Sequence, residues 1–186
     1  MKPKIEILLD MDGVLADFFS LAFEKCFQAG YATISQDEYI KLNMFNMAEV
    51  FGISQSLFWQ TIDNNSFWNS LRPMPGCVEL VDSLKQIGRV TIASSPSLNR
   101  TCIMQKLQWL ETNLGISVDE CMFGSRKELM ASPNTVLIDD HPGNISKFTT
   151  AGGLGILVPS NWNTPRHLFT PELVLEVINK ELVFSK

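Results

Sequence analysis

Histidine is scarce, with two in 186 residues, and the four cysteines (Cys26, Cys77, Cys102, Cys121) stand far apart with no C-x-x-C pair. That spacing argues against a zinc site and points to reduced thiols in a cytosolic protein. No apolar run is long enough to span a bilayer, and Met1-Lys2-Pro3-Lys4 leads straight into a strand-like segment without a signal-peptide core. The expectation is a soluble, cytoplasmic protein with no membrane partner. A basic stripe is also missing: 15 Lys and Arg against 20 Asp and Glu give a net charge of -5. That balance counts against a nucleic-acid polymer as partner, though it leaves room for a small cationic pocket. Repeats and low-complexity stretches are absent. What is present, 45% hydrophobic and 19% charged residues, suits one globular core with a modest insertion.

Short apolar runs recur at Ile5–Asp10, Arg89–Ala93, Glu120–Phe123, Thr135–Ile138 and Leu154–Val158, each followed by turn residues. They read as buried strands. Val78, Val81, Leu84 and Ile87, and then Ile103, Leu107 and Leu110, recur at helical spacing between them. Alternating strand and helix predicts an α/β fold, a doubly wound parallel sheet covered on both faces. The interval 17–75 breaks the alternation. It is helix-like and rich in aromatics, from Phe18 and Phe19 to Phe67 and Trp68. It is expected to be a small helical cap inserted after the first strand, with 1–16 and 76–186 forming the core. A further helix is expected over Pro171–Lys180.

Ligands in such sheets bind beyond the carboxyl ends of the strands, and four polar clusters fall there. The first strand runs into Asp10-Met11-Asp12-Gly13. In extended chain, residues i and i+2 face the same side, so both carboxylates would meet at one site. Like charges that close need a cation or a shared proton. Taken alone, D-x-D-G is also an ordinary acidic turn. The second cluster, Ser94-Ser95-Pro96, puts hydroxyls before a helix start, where a phosphate or a plain N-cap would fit. The third, Gly124-Ser125-Arg126-Lys127, supplies cations, and the fourth, Leu137-Ile138-Asp139-Asp140-His141-Pro142-Gly143-Asn144, supplies two more acids. Acids, hydroxyls, cations and acids at four strand ends point jointly to an enzyme site. Hard carboxylate and phosphate oxygens suit Mg²⁺.

The order DMDGVLAD, ASSP, Lys, LIDD resembles the four motifs of the haloacid dehalogenase superfamily of phosphatases. More narrowly, the chain is similar to the 5'(3')-deoxyribonucleotidases from Ile5 to Asn144. The narrower likeness rests on Asp10–Phe18, on Phe67-Trp68 with Leu71-Arg72-Pro73-Met74-Pro75-Gly76, on Ser95-Pro96, on Cys102 with Lys106–Glu111, and on Leu137–Asp140. This resemblance implies a Rossmann-like core and a Mg²⁺-dependent phosphomonoesterase. Asp10 would be the nucleophile that forms an aspartyl-phosphate, and Asp12 the acid and then the base. Ser94, Ser95, Lys106 and Lys127 would bind the phosphate, with Arg126 a stand-in for Lys127. Mg²⁺ would be held by Asp10, the Asp12 carbonyl and Asp140, with Asp139 neighbouring or bound through water. Phe18, Phe45, Trp59 and Trp68 would stack the base of a nucleoside monophosphate.

Two alternatives stay open at this point. One is a phosphatase or phosphomutase of another small metabolite, such as a sugar phosphate. The other is a catalytically silent binding module on the same fold. A homodimer is compatible with either.

Overall fold

The computed structural model describes residues 5–63 and 66–160, Trp162 and Asn163, and three helical residues further on, Glu172, Glu176 and Lys180. The remainder of the helix expected over 171–180 lies outside the described residues. Among the described residues, five strands form one sheet in which every pairing is parallel, ordered β3-β2-β1-β4-β5. They are β1 (Glu6–Leu9), β2 (Arg89–Ser94), β3 (Cys121–Phe123), β4 (Thr135–Asp139) and β5 (Leu154–Leu157). Each occupies an apolar run that reads as a strand in the sequence. Successive side chains alternate between faces. Ile7 and Leu9 therefore join one buried cluster with the helices, while Leu8 and Leu137 join a smaller one with Ala93 and Phe148 on the other face.

The helices are α1 (Phe18–Gln28), α2 (Gln36–Leu42), α3 (Met47–Val50), α4 (Gln55–Ile62), α5 (Cys77–Ile87), α6 (Cys102–Leu114) and α7 (Pro142–Thr150). The first four fill the interval between β1 and α5. Asp17, Ser35, Asn46 and Ser54 start them, each accepting a backbone N–H from the first turn. The apolar stripes of α5 and α6 are offset from the simple spacing. Cys77, Leu80, Val81 and Leu84 are buried on α5 while Val78 is exposed. On α6 the buried face comprises Cys102, Gln105, Lys106, Trp109 and Leu110, and Ile103 is exposed. A helix that packs beside a polar site buries polar residues on its inner face. Periodicity of apolar residues alone misses them. No helix among the described residues is long and apolar enough to cross a membrane.

Topology places the site. The chain runs outward from β1 to β2 and β3, then returns across β1 to β4, so the strand order reverses between β1 and β4. Leu9 pairs with both Ile92 and Ile138, which sets Asp10 beside the ends of β2 and β4. The Asp10 N–H donates to the Ile138 carbonyl at 2.9 Å. The helical segment leaves and re-enters the sheet through one place. Asp17 N–H donates to the Arg72 carbonyl at 2.8 Å, and Met74 N–H to the Leu15 carbonyl at 2.7 Å. Helix α6 grips the returning chain: the Gln105 side chain accepts from Trp68 N–H at 3.0 Å, and the Trp109 indole donates to the Leu71 carbonyl at 2.7 Å.

Trp109 is buried, so Trp109→Ala should cost about 3–5 kcal/mol through the cavity it leaves. Trp109→Phe should cost less, roughly 1–3 kcal/mol, through the unpaired Leu71 carbonyl. Urea unfolding midpoints of the two variants measure this. A negligible loss in Trp109→Phe would mean that the indole hydrogen bond contributes nothing.

Candidate active site

Four carboxylates and two ammonium groups meet where β1, β2 and β4 end. Lys127 Nζ lies 2.7 Å from Asp10 Oδ1 and 2.6 Å from Asp139 Oδ2, and all three side chains are buried. Lys106 reaches up from α6, fully buried, and is ion-paired to Asp12 Oδ2. Its ammonium also donates to Ser94 Oγ at 2.8 Å and to the Ser95 carbonyl at 3.1 Å, and sits 4.3 Å from the centre of the Trp68 ring. The cation expected after β3 is therefore Lys127. Arg126 is turned outward and paired with Glu128. Ser94 is buried beneath Lys106, while Ser95 lines the opening.

Asp139 and Asp140 differ in what they touch. Asp139 Oδ1 accepts from the His141 N–H at 2.8 Å, and its Oδ2 accepts from Lys127 and, at 3.0 Å, from Asn144. The Asp140 carboxylate makes no hydrogen bond or ion pair among the described residues, although it is buried. Gly13 is what admits it. Its φ is 81°, and a Cβ there would lie 2.0 Å from Asp140 Oδ2. Asp10, Asp139 and Asp140 each present an oxygen within 4.8 Å of the others. Asp12 Oδ1 is buried with no hydrogen-bond partner among the described residues.

This crowding perturbs protonation. Burial pushes the Asp10 carboxyl up to about 7; Lys127 pulls it back, and Asp139 and Asp12 push it further up. Burial and the neighbouring Asp10, Asp139 and Asp12 likewise hold Asp140 well above the ordinary carboxylate range. For Lys127 burial acts downward, but Asp10 and Asp139 outweigh it and keep the ammonium above its usual value. An all-oxygen donor set that is short of positive charge fits a hard divalent cation.

The site opens into a cavity of about 460 Å³. Phe18, Phe45, Trp59 and Trp68 all line it. Phe45 and Trp59 are 55% and 38% exposed, whereas Trp68 is 2% exposed. The Trp68 ring is stacked against Phe18 with centroids 5.6 Å apart, and its indole donates to Asp63 at 2.7 Å. Trp68 forms the floor beneath Phe18, and Phe45 and Trp59 present the open ring surface.

The family model described as "5' nucleotidase, deoxy (Pyrimidine), cytosolic type C protein" matches residues 3–172. The chain belongs to that family. A Bordetella pertussis protein bearing the name of a 5'(3')-deoxyribonucleotidase is 30% identical over 143 residues, covering 73% of this chain and 74% of its own. The mitochondrial 5'(3')-deoxyribonucleotidase of Mus musculus is 30% identical over 148 residues, 74% of this chain and 65% of the mouse protein. Among solved structures, a haloacid dehalogenase-like hydrolase of Streptococcus pneumoniae superposes with a TM-score of 0.62 at 13% identity, covering 96% of this chain and 100% of its own. At that identity the likeness is one of fold. The protein is a phosphoric monoester hydrolase with a haloacid dehalogenase-like fold.

Within this family fold, sequence reading overlooked several residues. Asn144 and the His141 backbone fix Asp139 from the first turn of α7; their place just after a strand-end acid was the available signal. Trp162 and Asn163, beyond the recognisable motifs, both donate to the Asp140 carbonyl, at 3.3 and 2.8 Å. Nothing in the local sequence announces that contact.

Asp10 and Asp140 bind a proton more tightly in the folded chain than in the unfolded one. Metal-free protein should therefore lose stability as pH rises from the ordinary 3.8 of a carboxyl through about 7. Added Mg²⁺ should raise Tm more at about pH 7.5 than at about pH 5, by at least about 3 °C, the shift given by roughly 1 kcal/mol in a chain of this size. Thermal melts with EDTA or Mg²⁺ at both pH values test this. An equal response at both would disconnect the cation from these carboxyls.

Proposed function

We propose that the protein hydrolyses (deoxy)ribonucleoside monophosphates in a Mg²⁺-dependent reaction that passes through an aspartyl-phosphate on Asp10. The observation that carries the reading is the joint placement of Asp10 and Asp12, each with its own buried ammonium, at the mouth of an aromatic cavity. A carboxylate held 2.7 Å from Lys127 has a fixed direction of attack. Asp10 Oδ would form the bond to phosphorus as the ester P–O bond breaks. Asp12 would hand a proton carried on Oδ1, the oxygen that Lys106 does not pair with, to the departing oxygen and then, as carboxylate, take one from the water that hydrolyses the acyl phosphate. Lys106 would orient Asp12, with Ser94 fixing the ammonium. Ser95, with the charges of Lys106 and Lys127 behind it, would meet the phosphoryl oxygens.

Asp10, the Asp12 carbonyl and Asp140 would hold Mg²⁺, and Asp139, saturated by Lys127, His141 and Asn144, would position Lys127 from beside it. The cation would offset the repulsion between Asp10 and a phosphate dianion. Segment 17–75 would act as the cap over a core of 1–16 and 76–186, with Phe18, Phe45 and Trp59 offering ring surface to the base and Trp68 supporting them. Four free thiols, three of them buried, favour a reducing, cytoplasmic setting.

Phosphate release from nucleoside monophosphates and from an aryl phosphate should require a divalent cation and stop with EDTA. Asp10→Asn should lower kcat on the order of 10³-fold or more. Sizeable turnover by that variant would rule out the acyl phosphate, and no turnover by the unmodified protein would favour a silent binding module. Trp59→Ala should reduce kcat/KM for nucleotides relative to a small alkyl phosphate by a stacking loss of about 1–3 kcal/mol. Equal losses on both substrates would return Trp59 to a packing role and favour a sugar phosphate or another small metabolite as substrate.

A further inference from the structure

The rings around the cavity fall into two groups. One comprises Phe18, Trp59 and Trp68, with Phe58 and Phe67 behind them. The other comprises Phe45, His141 and Trp162, with Phe19 behind Trp162. Both groups line the same cavity, and no ring contact joins one to the other among the described residues. The second group is built from three separate parts of the chain. Phe45 comes from the helical segment, His141 follows β4, and Trp162 follows β5.

Trp162 holds this second group together. Its ring meets Phe45 edge-to-face at 5.4 Å and Phe19 at 6.3 Å. Its indole N–H donates to the Asp140 carbonyl at 3.3 Å. The neighbouring Asn163 pins the turn. Its amide donates to the carbonyls of Asp140 at 2.8 Å and Val158 at 2.9 Å, and its oxygen accepts from Ser160 N–H at 2.9 Å. An indole tied to the backbone of Asp140 keeps a set distance from the chemistry, and its large ring loses little freedom on binding a flat partner. Phe45, more than half exposed, has no such anchor of its own and rests against Trp162 and His141.

We propose that Trp162 is a specificity-determining residue that, with Phe45, forms the wall of the cavity against which the nucleobase packs, opposite the Phe18–Trp59 wall. This rests on the nucleotidase reading given above and adds to it the second face of the base slot, contributed by the segment after β5. The indole works as an anchored flat surface, so an aromatic replacement preserves its contribution and an aliphatic one removes it.

The test compares unmodified protein with Trp162→Phe and Trp162→Ala, measuring kcat/KM for a nucleoside monophosphate and for a small alkyl phosphate, with a thermal melt of each. Trp162→Ala should lower the nucleotide-to-alkyl ratio by roughly tenfold, within the range of one lost base–aromatic stack, chiefly through KM. Trp162→Phe should restore most of the ratio. A ratio unchanged in Trp162→Ala overturns the proposal, since a merely structural role depresses both substrates together. Should Trp162→Ala fail to fold, indole fluorescence decides the matter. Quenching by the nucleoside product should be markedly smaller in Trp162→Phe than in the unmodified protein, and equal quenching overturns the proposal. Failure of the underlying nucleotidase reading is separately visible, because the unmodified protein would then show no preference for the nucleotide.

Discussion

The buried ion pair of Lys127 with Asp10 and Asp139 is the interaction on which the site depends. Asp10 directly follows the central strand β1, Asp139 ends the neighbouring strand β4, and Lys127 spans the gap between them. Taking such charges out of water is costly, and removing one partner typically costs about 3–5 kcal/mol. The arrangement persists because the sheet leaves little freedom elsewhere. The register that pairs Leu9 with Ile92 and Ile138 brings the strand ends level. Four acids (Asp10, Asp12, Asp139, Asp140) set against two ammoniums (Lys106, Lys127) leave two negative charges when all are ionised. Burial first, and then the repulsion among these acids, shifts Asp10 and Asp140 upward. A divalent cation removes that repulsion more completely than a proton does, because it adds two charges at once.

A second constraint runs from this charge cluster into the cavity. Lys106 touches Asp12, Ser94 and the face of Trp68, so a ring that lines the cavity and the Asp12 carboxylate share one ammonium. The chain that carries Trp68 is held by α6 through Gln105 and Trp109, the helix on which Lys106 also lies. The aromatic lining and the charge cluster are thereby both tied to one helix, which keeps their separation constant. Trp162, which also lines the cavity, and Asn163 are tied to the Asp140 carbonyl. Both ring groups are thus tied to the acid cluster rather than to each other.

Much of this was legible in the sequence because it depends on local pattern. A parallel strand buried on both faces must be an unbroken apolar run, and all five strands lie on such runs. Asp10 and Asp12 declare themselves by i, i+2 spacing after one of them, and Gly13 by the turn that the chain must make. The family motifs assigned the remaining acids and hydroxyls. Side-chain direction was less legible. Ser94 and Ser95 read alike in sequence, yet one is buried under Lys106 and the other faces the cavity. Arg126 and Lys127 read as one basic pair, and only the turn of the chain after β3 sends Lys127 inward.

What the sequence by itself determined is the sheet, the order of its elements and the acids at its carboxyl edge, since these follow from periodicity and from residues adjacent in the chain. Tertiary structure alone decided which charges pair and that Trp162 joins the rings lining the cavity. Lys106 meets Asp12 across 94 positions, and Trp162 meets Phe45 after the chain has passed through the whole sheet. Such contacts leave no local pattern. They arise because parallel strands bring distant segments to one edge, where burial forces each charge to find an opposite charge and each ring to find a face.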